Sequence, residues 1–255
     1  RNRLMLPVID TRGDVVAFGS RVLDKSEPKY MNSSETPVYS KRRVLYGLNL
    51  AKKSKRPNII LCEGNLDIVT LHQAGFDNAV ASMGTALTVE QTRLLSRFTK
   101  ELVLCYDNDN AGKIATERAL QILNGSEFSV KVLQLPRRLV DGEYIKQDAD
   151  DFIKLQGPDA FERLLNGSEN GVEFRMAQIA GKYDLKDDEA RIAYCGEVSE
   201  LLASLPGAVE REIYTGRAAE AAGITAEAMK LEVQRSFKRR IAREKRAELR
   251  KDLNP

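Results

Sequence analysis

Two apolar runs end abruptly in carboxylates. The first is Ile59-Ile60-Leu61-Cys62-Glu63-Gly64, with Asp67 just beyond it. The second is Leu102-Val103-Leu104-Cys105-Tyr106-Asp107-Asn108-Asp109-Asn110-Ala111-Gly112. A third acidic stretch, Asp148-Ala149-Asp150-Asp151, lies further on. Acids that converge on one point repel each other unless a cation lies between them. The all-oxygen donor set suits Mg²⁺ or Mn²⁺. Carboxylates around such ions serve phosphoryl transfer, where the ions neutralise phosphate charge and orient the attacking oxygen.

The elements needed to bring these acids together can be read along the chain. Strand Asn58–Glu63 leads to helix Leu66–Ala74, and strand Asn78–Ser82 to helix Val89–Phe98. Strand Glu101–Asp107 leads to helix Ala111–Leu123, and a fourth strand covers Ser129–Leu135. Gly75 marks the end of the first helix, and Thr88 is placed to cap the second. Strands alternating with helices predict an α/β fold with a parallel sheet, right-handed crossovers and helices on both faces. In open sheets of this kind, ligands bind at the carboxyl ends of the strands. If the third strand runs on past Tyr106, alternation lets Asp107 and Asp109 point the same way. Gly112 lets the next helix approach closely. Asp148, Asp150 and Asp151 read equally as acids of a helix first turn.

Before the alternating region, Leu4–Ile9 and Val15–Val22 read as a hairpin. Lys25–Tyr39 reads as an irregular loop and Lys41–Lys53 as a short helix. After it, Arg137–Gln147 reads as a loop, and the pattern from Pro158 onward is helical, with four or five helices. These divisions give a small β-containing basic subdomain over 1–56 and the parallel-sheet domain over 57–147. An acidic element over 148–166 completes the site, and a helical subdomain covers 167–255.

Composition narrows the classes. The 255 residues are 42% apolar, and the formal charge is +3. No apolar run is long enough to span a membrane, so a membrane partner is not expected. Cys62, Cys105 and Cys195 form no CxxC pair and His72 is the only histidine, so zinc is not expected either. Buried reduced thiols fit a cytoplasmic protein. His72 reads as a surface or packing residue. The chain opens on Arg1 and runs straight into a strand, as an excised piece of a longer protein would.

The charge is uneven. Residues 21–56 hold ten Lys/Arg against three acids, and residues 235–251 hold nine against two. Arg21, Lys29, Tyr30, Asn32 and Lys41 combine cations, an amide and an aromatic ring. That mixture suits a phosphate backbone with bases stacked on tyrosine, and equally a solvated loop. The run Gln234–Lys251 reads as an exposed charged helix. Ala218–Thr225 has a weak helix-turn-helix flavour, for which ordinary helix packing is the simpler account.

The motifs Glu63-Gly64-x-x-Asp67 and Tyr106-Asp107-x-Asp109-x-Ala111-Gly112 resemble the two signatures of the Toprim fold, shared by primases, topoisomerases and some nucleases. The segments Phe18–Leu23, Pro28–Ser33, Glu35-Thr36, Lys41 and Leu45–Leu48 resemble the region preceding Toprim in bacterial (DnaG-type) DNA primases. Ala81-Ser82-Met83-Gly84-Thr85 and Asp148-x-Asp150 followed by Phe152-Ile153 fit the same family.

The resemblance implies a Toprim, Rossmann-like sheet and a catalytic core that makes short RNA primers on single-stranded DNA from NTPs. It implies proton transfer by Glu63. It also implies metal binding, with more than one ion, by Asp107, Asp109, Asp148 and Asp150, with Asp67 nearby. Template and nucleotide contacts fall to Arg21, Lys29, Tyr30, Asn32 and Lys41. It further implies a replicative-helicase partner, reached through a C-terminal domain that the sequence is expected to lack, along with the family's zinc module. Such a fragment is expected to prime poorly or not at all. Asn65, Asn108, Asn110 and Ala149 depart from the usual pattern, yet none removes a carboxylate. The rival readings are another Toprim enzyme, a nuclease or topoisomerase, or a non-catalytic nucleic-acid-binding module.

Overall fold

The computed structural model describes residues 2–84, 86–140 and 143–252; Thr85, part of one motif above, lies outside them. In chain order the elements begin with β1 (Arg3–Ile9), β2 (Val15–Val22), β3 (Tyr30–Asn32), β4 (Leu45–Tyr46) and α1 (Leu48–Ala51). The alternating region follows: β5 (Asn58–Cys62), α2 (Asn65–Gln73), β6 (Ala79–Ser82), α3 (Val89–Leu95), β7 (Glu101–Leu104), α4 (Asn110–Leu123) and β8 (Ser129–Val132). Then come β9 (Arg138–Val140), β10 (Glu143–Ile145), α5 (Ala149–Gln156), α6 (Pro158–Asn166) and β11 (Glu169–Asn170). Four helices close the chain: α7 (Gly171–Ala180), α8 (Asp188–Ala203), α9 (Ala208–Ala222) and α10 (Ala226–Asp252).

The chain forms two compact units, residues 1–171 and 172–255. In the first, the main sheet has the order β11-β8-β7-β5-β6-β4. Its four inner strands are parallel, and the edge strands β4 and β11 run antiparallel. Strands β5, β6 and β7 are nearly continuous buried runs because both faces are covered, whereas β8, which carries Lys131, is buried only at Val132. Right-handed crossovers put α2 on one face and α3 and α4 on the other. On the α2 side Ile60, Cys62 and Val103 pack with Leu71, Phe76, Phe152 and Phe161. The alternate residues Ile59, Leu61, Leu102 and Leu104 are also buried. All three cysteines are free thiols.

Chain order reverses between β5 and β7. From β5 the chain steps to β6 on one side, then crosses to β7 on the other. A crevice opens at the carboxyl ends of strands where connections diverge in this way. Glu63 follows β5 and Asp107 follows β7, so both stand at its mouth.

Several local expectations are corrected. Within Lys25–Tyr39, β3 pairs with β2, matching Arg21 to Tyr30 and Gly19 to Asn32. Only Leu48–Ala51 of Lys41–Lys53 is helical. Leu45 and Tyr46 instead pair with Ser82 and Ala81, and Gly47 at φ +82° turns the chain between them. Arg137–Gln147 contains the β9–β10 hairpin. The region after Pro158 includes the short strand β11.

The second unit is a helical assembly whose core includes Met176, Ile179, Tyr194, Val198, Leu202, Tyr214, Met229 and Val233. The Ala218–Thr225 stretch is ordinary helix packing. Ala218, Ala219 and Ala222 are buried, and Gly223 at φ +64° ends α9 before α10 begins. No helix among the described residues is long and apolar enough to cross a membrane.

Candidate active site

Strand β7 stops at Leu104, short of the expected Asp107. One more main-chain bond, from the Cys105 N–H to the Leu61 carbonyl at 2.9 Å, ties the chain to β5. It then turns sharply into α4. A Cβ on Gly112 would lie 1.9 Å from the Asp107 carbonyl oxygen, so only glycine permits this turn. The turn, and not strand alternation, brings the two aspartates together. Asp109 caps α4 by accepting the Gly112 N–H at 2.8 Å. Lys146 spans the pair, its Nζ 3.1 Å from an oxygen of Asp107 and 3.1 Å from one of Asp109. Asn108 is turned aside, donating to the Leu135 carbonyl.

Glu63 faces this pair, with Oε1 accepting the Asp107 N–H at 3.3 Å. Burial, then the charges of Asp107 and Asp109, push its carboxyl above the usual glutamate range. Asp109 shifts the other way, because the Gly112 N–H and then Lys146 stabilise its anion. Lys146 is held firmly in its charged form by hydrogen bonds to Asp107 and Asp109.

Asp67 is 8% exposed. Its Oδ2 accepts the Gly64 N–H and its Oδ1 the Asp150 N–H, each at 3.1 Å. It therefore ties the loop after β5 to the start of α5. Burial, then the charge of Asp148, push it up to about 7. Asp148 caps α5 through the Asp151 N–H at 2.8 Å. Asp150 accepts from the Thr70 hydroxyl and from Lys154 Nζ, the latter at 2.6 Å. Carboxylate oxygens of Asp148, Asp150 and Asp151 lie within 4.8 Å of one another.

The donors fit a hard divalent cation. Every candidate ligand is a carboxylate oxygen, and the free acids already recruit ammonium groups across their open faces.

The basic strip is partly assembled around Tyr30. The Arg21 guanidinium lies 5.6 Å and Lys29 Nζ 5.7 Å from the ring centroid. Burial raises the Tyr30 hydroxyl pKa; the Arg21 charge opposes the rise, and the charges of Asp67, Asp148 and Asp150 add to it. Asn32 donates to the Met83 carbonyl just past β6. Asn65, which departs from the family pattern, lies close against Gly19 of β2 beside Asn32. Lys41 sits apart. Its N–H donates to Glu35 and its carbonyl accepts from Gln91, and no contact ties it to the acids among the described residues. His72 is a packing residue, with Nε2 2.8 Å from the Ala79 carbonyl.

Two side chains that touch the acids lie outside the motifs, Lys146 and Thr70. Lys146 lies only two residues before Asp148 but in a stretch that looked like plain loop. Thr70 sits one helical turn past Asp67, which was the available signal. Arg118 lines an open cleft of about 310 Å³ beside Glu63, with Ser82, Tyr106, Ala111 and Ala115.

Comparison with known proteins decides the family. A DNA primase domain from Pseudomonas aeruginosa superposes with a TM-score of 0.75 at 33% identity, over 92% of this chain and 72% of that one. The chain belongs to the bacterial DNA primase family. A DnaG primase catalytic domain solved bound to single-stranded DNA also matches, with a TM-score of 0.75 at 32% identity, over 89% of this chain and 71% of that one.

Three family models fit successive segments of the primase chain: the N-terminal domain of the DNA primase catalytic core at 1–52, a Toprim-like domain at 60–153, and the DnaB-helicase binding domain of primase at 172–227. The last corrects the expectation that the helicase-binding segment is missing. The DNA primases of Clostridium acetobutylicum and Listeria monocytogenes are 40% and 37% identical over 90% and 93% of this chain. The chain spans only 37% and 38% of their lengths.

Proposed function

We propose that this chain is the Toprim-bearing catalytic segment of a primase, joining NTPs into a short RNA on a single-stranded DNA template. The observation that carries the reading is the meeting of Glu63 with Asp107 and Asp109 at the reversal point of the sheet. In this reading Glu63 accepts the proton of the attacking 3′-hydroxyl. Its raised pKa brings a carboxylate base nearer neutral pH, which strengthens proton abstraction. A bond forms from O3′ to the α-phosphorus, the bond to the bridging oxygen breaks, and pyrophosphate leaves. Asp107, Asp109, Asp148 and Asp150 would hold Mg²⁺ or Mn²⁺, with Asp67 beside them. Such ions, when bound, neutralise phosphate charge and align the reacting oxygens. Asp67 also fixes Gly64 and Asp150 by accepting their N–H groups.

Arg21, Lys29 and Tyr30 would carry the template, through phosphate contacts and base stacking, with Asn32 beside them. Lys41 would reach nucleotide phosphates from the rim. The segment over 172–227 would engage a replicative helicase. These assignments divide the chain as its composition does, with 1–56 for template, 57–166 for chemistry and the remainder for partners.

Asp109→Ala tests the core of this reading. Mn²⁺ binding, followed by paramagnetic resonance, should weaken at least about tenfold with the loss of one charged ligand, while binding of labelled single-stranded DNA is kept. An intact chain that binds no Mn²⁺ would leave the non-catalytic rival standing.

A further inference from the structure

The cleft beside Glu63 has a cation at its far end that the chemistry above does not use. Ala111, Ile114, Ala115 and Arg118 all line it. Their spacing of i, i+3, i+4 and i+7 is one face of a helix. The opposite face of α4, carrying Gly112, Thr116, Ala119, Leu120 and Leu123, is buried. The cleft is therefore roofed by a stripe with two alanines where larger side chains would fill the space. Arg118 is exposed, and among the described residues no hydrogen bond or ion pair engages its side chain. Helical side chains lean toward the N-terminus of their helix, so Arg118 leans back toward the acid end, about 10 Å from Ala111 along the axis.

The cleft is thus dipolar. Glu63, with Asp107 and Asp109 close by, makes one end negative, where a hydroxyl or a cation is welcome and a bare anion is not. The other end presents a free guanidinium, whose planar fork matches phosphate oxygens. Small and aliphatic residues between them leave room for a sugar. A nucleotide has this pattern, with a hydroxyl and a phosphate separated by a ribose.

Resting on the polymerase reading above, we propose that Arg118 holds a nucleotide phosphate in this cleft, seating the nucleotide against α4 with its ribose beside Glu63. The phosphate could come from the last linkage of the growing RNA strand or from an incoming NTP. The chemistry is the same, and the experiment separates the sources.

Binding of two probes is measured on this chain in Mg²⁺, for Arg118→Ala, Arg118→Lys and the unsubstituted protein. One probe is a labelled RNA hexamer annealed to a longer DNA strand with its 3′ end recessed. The other is an ATP analogue with a methylene between the α- and β-phosphorus. Loss of a charge-assisted bond to phosphate should weaken one probe by about tenfold or more. Loss on the hexamer arm identifies the growing strand, and loss on the analogue arm the incoming nucleotide. Arg118→Lys should restore only part, since it keeps the charge but not the fork. Single-stranded DNA binding serves as the folding control and should not change.

Both probes within about twofold of the unsubstituted protein would overturn the proposal. If that happens while Asp109→Ala still abolishes Mn²⁺ binding, this subsite alone fails. If the intact chain binds neither Mn²⁺ nor either probe, the polymerase reading fails with it.

Discussion

The acids after β7 and the acids before α5 are built alike and secured differently. Each set commits one aspartate to a helix cap at 2.8 Å, Asp109 to Gly112 and Asp148 to Asp151. Each also meets a lysine, Lys146 on Asp107 and Asp109, and Lys154 on Asp150. A capping carboxylate is fixed in direction by the backbone while an oxygen stays available, which is how helix caps can double as ligands. The sets part in what lies behind them. The first depends on a backbone turn so tight that it tolerates no Cβ. The second depends on side chains of α2, the Thr70 hydroxyl and the buried Asp67. One site half is thus set by steric exclusion, the other by buried polar contacts.

The sharpest way to break the first half alone is Gly112→Ala. A methyl group 1.9 Å from the Asp107 carbonyl must push the turn open. The expected cost is about 3 kcal/mol or more, toward the upper end for overpacking. The urea unfolding midpoint should fall accordingly. Gly196→Ala, in α8, is the matched control. Nothing lies within 4 Å of a Cβ there, so that change should stabilise by up to about 1 kcal/mol. Equal behaviour of the two variants would contradict the steric account of the β7–α4 turn.

The second half can be probed by pH. Asp67 is pushed up to about 7. A carboxyl whose pKa rises on folding holds its proton more tightly in the folded chain. Its contribution therefore favours folding most below the unfolded value near 4, and is lost as pH climbs to about 7. With chelator present, one such group gives a slope of at most about 1.4 kcal/mol per pH unit across that window. Asp67→Asn cannot titrate and should remove this slope from urea titrations taken between about pH 4 and 7. A slope unchanged in the variant would show that another group carries it.

The comparison also explains what the sequence could and could not disclose. Glu63, Asp107 and Asp109 were legible because a buried strand has no ordinary reason to end in acids, and two did so in matching βα units. The alternating region was legible for a related reason, since β5, β6 and β7 are mostly apolar runs set between helix signals. Strand β4 was missed because two residues carry no period of their own. Its existence depends on pairing with β6, a contact distant in sequence. The β9–β10 hairpin was missed likewise, and with it the reason Lys146 reaches the aspartates. Lys41 was selected by charge and neighbourhood, and charge alone does not fix a direction. Asp67 was legible as a carboxylate close to Glu63, but its hold on Gly64 and Asp150 depends on α5 returning to cover α2.

The smallest effect expected is the most discriminating between the two lysines. Lys146 and Lys154 both sit on candidate ligands, and both side chains are largely solvent-exposed, at 59% and 62%. Exposed pairs of this kind contribute up to about 1 kcal/mol, so neither Lys146→Ala nor Lys154→Ala should shift unfolding by more than that. Their effects on cation binding should differ. Lys146 spans two carboxylates and competes directly with any ion that would bridge them, so its removal should tighten Mn²⁺ binding by up to about fivefold. Lys154 touches a single oxygen of Asp150, and Thr70 holds the other. Its removal leaves the geometry of that half in place and should tighten Mn²⁺ binding less. Calorimetric Mn²⁺ titrations of the two variants give the order directly. Tighter binding in Lys154→Ala than in Lys146→Ala would mean that the α5 acids, and not the β7 acids, dominate cation capture.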